Sequence, residues 1–110
     1  MNARIKKLWV KALRSGKYKQ GIGQLRRDNG EPKFCCLGVL CDIHAKTRQG
    51  QTWNEDGSYD DEDSDLPLSV VEWAELDSSD PVLGTKRRAS QINDAGESFE
   101  YIAKLIEKRL

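Results

Sequence analysis

Long apolar runs are missing from this chain, and so are the repeated histidines and spaced cysteine pairs from which metal sites and disulfide frameworks are built. The longest uncharged apolar run covers residues 34–41, far short of the roughly 20 residues that cross a bilayer. No membrane partner is therefore expected. Lys11 and Arg14 follow Leu8-Trp9-Val10 too closely for a secretory signal core. The three cysteines, Cys35, Cys36 and Cys41, are odd in number and crowded together, which predicts free thiols and a cytoplasmic setting. His44 is the only histidine. Cys36, Cys41 and His44 offer three ligands where zinc wants four, so neither a metal nor another cofactor is expected. Aligning Gly57 with the glycine of a calcium loop puts Thr52 at the first ligand position, where aspartate is required.

Net charge is also absent, but only as a sum. Residues 1–33 carry ten basic and two acidic side chains, whereas residues 34–84 carry two and twelve. Residues 85–110 are nearly balanced. At 110 residues the chain is expected to form one domain, with a basic helix and hairpin in 1–33, an apolar cysteine-rich segment in 34–47, an acidic loop in 48–65 and helices in 66–110.

The spacing of Ile5, Leu8, Trp9 and Ala12 predicts an amphipathic helix, with Arg4, Lys7, Lys11 and Arg14 on another face and Ser15-Gly16 as its stop. Gln24-Leu25-Arg26-Arg27 predicts a short strand. Asn29-Gly30 predicts a type I′ turn leading to a second strand near Lys33. The run at 34–41 reads as a strand turning into a helix that carries Leu37, Leu40, Cys41 and His44 on one side. Trp53 and Tyr59 flank a turn at Asn54-Glu55-Asp56-Gly57, as in a small hairpin or ordered loop. Leu66-Pro67 opens a helix with Ser69 and Glu72 at capping-box spacing, and residues 86–93 form another. Ser98 caps a last one, whose inner face is Phe99, Ile102, Ala103, Ile106 and Leu110. Four helices with two to four short strands make an α+β fold.

The basic arm is the leading candidate site. Gly21-Ile22-Gly23 lacks the third glycine of a dinucleotide fingerprint, yet glycine N–H groups beside cations are the ingredients of an anion nest. Lys17, Lys19, Gly21, Gly23, Arg26 and Arg27 are thus expected to converge on one anion-binding surface. Tyr18 or Trp53 would supply a stacking face. No catalytic residue is assigned. Cys35 or Cys36, at a strand-to-helix junction, is the nucleophile in an alternative cysteine-dependent reading. Nonspecific nucleic-acid binding by the arm is a further alternative, which the acidic block opposes unless it faces away. Sequence-specific DNA reading is not expected, because the closing helix has no recognition helix after it.

The segments Ala12-Leu13-Arg14-Ser15-Gly16-Lys17-Tyr18-Lys19-Gln20-Gly21 and Phe34-Cys35-Cys36-Leu37-Gly38-Val39-Leu40-Cys41 resemble a family of small proteins of tailed bacteriophages and prophages. Leu66-Pro67, Trp73-Ala74 and Ile92-Asn93-Asp94 resemble its later blocks. The resemblance implies expression in the cytoplasm of a bacterial host and action by non-catalytic binding. The partner would be a host defence protein or a nucleotide-type small molecule, and homo-oligomerisation stays open.

Overall fold

A computed structural model describes residues 1–110. It contains five helices and one three-stranded mixed sheet, an α+β fold. Helix α1 (Ala3–Arg14) begins where the Asn2 side chain accepts the Ile5 N–H at 3.0 Å, and it ends at Ser15 with Gly16 at φ +75°. The α1 helix packs against both α2 (Cys36–Ala45) and α5 (Phe99–Arg109). That double contact turns the helix away from its expected orientation. Ile5, Trp9, Val10 and Leu13 are buried, whereas Leu8 is exposed and Ala12 half-buried. Trp9 is fully enclosed and donates its indole N–H to the Cys36 carbonyl at 2.9 Å.

Strands β1 (Lys19–Gln20), β2 (Arg26–Asp28) and β3 (Pro32–Phe34) lie in the order β1-β3-β2. The expected hairpin is β2–β3, but its turn is not type I′. That turn needs two left-handed residues. Here Gly30 alone has positive φ, and Asp28 pairs with Pro32 across three residues. The β1 strand, which the sequence did not suggest, runs parallel to β3. After Phe34 the chain turns into α2, as expected, and buries Leu37, Leu40, Cys41 and His44 in one core.

The acidic segment is an ordered loop without strands. Its Asp63 carbonyl accepts the Leu25 N–H at 2.7 Å, and Tyr59 is wholly buried. Helix α3 (Leu68–Ala74) is capped by Pro67. The expected Ser69–Glu72 box does not form, because Ser69 donates to Asp60 instead. Helix α4 (Ala89–Asp94) starts three residues later than expected, because Arg88 is extended and bridges to Val82. On α5, Ser98 caps as expected and Phe99, Ile102, Ala103 and Ile106 are buried. No helix is long and apolar enough to cross a membrane.

One buried amide joins these parts. Asn93 accepts from Gln20 (3.0 Å) and the Cys36 N–H (3.1 Å), and it donates to the Gly21 carbonyl (2.8 Å) and Asp94 (3.1 Å). All its hydrogen-bonding capacity is used, so β1, α2 and α4 are held in one register.

Candidate anion-binding clefts

Two clefts flank the outward ridge of α1. The larger, about 830 Å³, is walled by Lys6, Lys7, Lys11 and Arg14 of α1, by Lys17, and by Glu107 of α5. The second, about 550 Å³, lies between α1, β1 and α2, with Lys11, Lys17, Lys19 and Lys46 around an apolar floor that includes Tyr18 and Phe34. Lys11, Ser15 and Lys17 line both.

The charges differ in how they are matched. Arg14 is neutralised by Glu107 at 2.7 Å and Glu100 at 3.3 Å, which raises its pKa and lowers that of Glu107. Lys19 pairs with Glu31 at 3.0 Å, and Lys46 with Asp42 at 3.1 Å. Lys6, Lys7, Lys11 and Lys17 have no ion pair. Lys7 and Lys11 stand one helical turn apart, where like charges repel. Across the sheet, Lys19, Lys33 and Arg27 occupy directly opposed positions, which places three cations in one row. Like charges in that arrangement are destabilising.

Asp42 organises the floor of the second cleft. It accepts from the Tyr18 hydroxyl at 2.6 Å and the Trp53 indole at 3.0 Å, and it pairs with Lys46. Burial raises the Tyr18 pKa, with the Asp42 hydrogen bond adding to it; the same carboxylate raises that of Lys46. Tyr18 stacks edge-on against Phe34, and Phe34 against Trp53. Both expected stacking residues are therefore tied into the wall.

Residues 1–110 match the family described as Domain of unknown function (DUF8296). The chain belongs to that family. No curated protein and no solved structure matches it.

Within this DUF8296 domain the expected anion site is only partly assembled. Lys17 and Lys19 meet in the second cleft. Arg26 does not join them: it pairs with Asp28 and lies over the Phe34 and Trp53 rings, on the opposite sheet face from Lys19. Arg27 shares the outer face with Lys19 but bonds Gln24. Nor do the glycines form a free nest. The Gly21 N–H goes to the Phe34 carbonyl, and the Gly23 N–H goes to the Asp94 carboxylate at 3.0 Å, so the protein supplies its own anion there. Lys6, Lys7 and Lys11 were not assigned to the site from sequence. Their signal is a helix with five cations and no acid.

The thiols are enclosed. Cys35 caps α2 through its sulfur, but burial outweighs the helix terminus and pushes its pKa up to about 11. Burial also raises Cys36 and Cys41. His44 hydrogen-bonds none of them. Its Nδ1 lies 2.7 Å from the Tyr59 hydroxyl, which also accepts the Gln51 N–H at 2.8 Å. Desolvation lowers the His44 pKa. The acidic loop docks just ahead of β2, where its Asp63 carbonyl takes the Leu25 N–H, while its Trp53 reaches Phe34 and Asp42 under the second cleft.

Proposed function

We propose that this DUF8296 protein acts by binding rather than catalysis and holds a phosphate-bearing partner in the lysine clefts beside α1. The observation that carries this reading is that Lys6, Lys7, Lys11 and Lys17 line one cleft with no ion pair of their own, and that the single acid in its wall, Glu107, is already paired with Arg14. Lysines kept adjacent and unpaired repel one another, and an anionic ligand removes that repulsion. Against the cysteine-dependent alternative stand three buried thiols with raised pKa values and a histidine engaged by Tyr59. In the phage setting that the sequence resemblance implies, such a protein would sequester or block a component of the bacterial cytoplasm.

Titration with inorganic polyphosphate tests the reading. The wild type is expected to bind, and K6Q/K7Q/K11Q/K17Q to bind far more weakly while melting at a similar temperature. Equal binding by the two proteins, or none by the wild type, would contradict it.

A further inference from the structure

We infer that the partner is a double-stranded nucleic acid whose phosphate backbone crosses the Lys11–Lys17 crest from one cleft to the other. The inference deepens the anion-binding reading and rests on it. Three observations favour a duplex over a mononucleotide, a single strand or an acidic protein.

The first is continuity. The two clefts share Lys11, Ser15 and Lys17, so the cationic surface runs on from the α1–α5 side into the second cleft, where Glu31 and Asp42 offset Lys19 and Lys46, and beyond Lys19 to Lys33. A track of this kind suits a repeating charge. A mononucleotide would fill one cleft and leave the other bare.

The second concerns the aromatic groups. Single strands and free nucleotides are held largely by stacking on exposed rings. Tyr18 is fixed by Asp42 and packed on Phe34, and Phe34 is itself buried. Contact with backbone phosphates, which needs no ring, is what these walls offer.

The third is the choice of residue. Lysine is depleted from protein–protein interfaces, whose centres are built on apolar and aromatic anchors. Here lysines dominate the rims, and Leu8 is the one large apolar side chain exposed beside them. The acidic loop, which would repel a polyanion, is anchored beside β2 at its Asp63 end, at the other edge of the sheet from β1, and only its uncharged Trp53 reaches the floor of the second cleft.

The test is fluorescence anisotropy with a labelled DNA duplex of arbitrary sequence, about 20 base pairs long, as a function of salt. The four unpaired lysines that line the clefts predict a log–log slope of about −3.6, which is ~100-fold in affinity between about 50 and 200 mM salt. K11Q/K17Q should halve the slope, leaving ~10-fold over the same range. Both positions are exposed, and an unchanged melting curve confirms that the variant is folded. ATP and poly-glutamate, each at the same concentration of charges, should leave the duplex bound. Displacement by either, or an unchanged slope in K11Q/K17Q, overturns the inference. Polyphosphate binding without duplex binding overturns it too, yet leaves the anion-binding reading standing. If neither is bound, both fall.

Discussion

Replacing Asp42 with asparagine separates the stability of the cleft floor from its charge. The carboxylate holds the Tyr18 hydroxyl, the Trp53 indole and the Lys46 ammonium, with only 16% of its side chain exposed. Asparagine keeps one oxygen for Trp53, and its NH₂ can donate to the Tyr18 oxygen, so neither ring group is left without a partner. What disappears is the charge assistance on two hydrogen bonds and an ion pair with a lysine that is 72% exposed. The pair is worth at most about 1 kcal/mol, and each charged bond exceeds its neutral counterpart by roughly 0.5–1 kcal/mol. The sum is about 1–3 kcal/mol, a fall in Tm of roughly 5–15 °C for a domain of this size. Binding should move the other way. Removing a negative charge about 10 Å from a phosphate is worth ~0.4 kcal/mol at the dielectric of water, or about a twofold gain in affinity at low salt. Thermal denaturation by circular dichroism and polyphosphate titration read the two effects. An Asp42→Asn protein that stays folded but binds more weakly would refute electrostatic recognition in this cleft. An unchanged Tm would refute the role given to Asp42.

Other consequences are equally direct. Gly38→Ala, favourable by helix propensity alone, drives a Cβ into the Leu25 carbonyl oxygen and should destabilise by more than about 3 kcal/mol in chemical denaturation; a stabilised variant would show that α2 and the Leu25 backbone are not in contact. Because His44 titrates below its unfolded value of about 6.5, its contribution is complete above that pH and is lost as pH falls toward the lowered folded value. The wild type should therefore lose more Tm than His44→Gln between about pH 6.5 and 5, and parallel curves would contradict the neutral, Tyr59-bonded state. Thiol labelling at mildly alkaline pH should be slow in the native protein and fast in denaturant, given burial of all three cysteines; rapid native labelling would restore a cysteine-based mechanism. Asn93→Ala, which strands two donors and a carbonyl around a fully buried site, should cost about 3 kcal/mol or more, where a loss under 1 kcal/mol would remove Asn93 as the junction of β1, α2 and α4.

The parts of the fold that were legible in the sequence are those set by neighbours in the chain. Ser98 and the apolar spacing after it specify α5, and the run at 34–41 ends β3 and starts α2. Long-range contacts account for the rest. The β1 strand is two residues long and exists because β3 offers an edge, and Leu8 is exposed because α1 answers to two neighbours at once. Tyr59, inside an acidic loop, owes its burial to His44 and Trp53. The site divides in the same way. Lys17 and Lys19 were legible as an exposed basic stretch. That Asp94 would satisfy Gly23, and that Arg26 would turn to the inner sheet face, depends on α4 and on a register that no local pattern encodes.

Amide chemical-shift mapping during titration with polyphosphate tests the central claim most directly. The account predicts perturbations at Lys6, Lys7, Lys11 and Lys17, extending to Lys19 and Lys33, with the acidic loop and the His44–Tyr59 core unmoved. Perturbations centred on Arg26, or on the 86–88 segment, with α1 silent would contradict it.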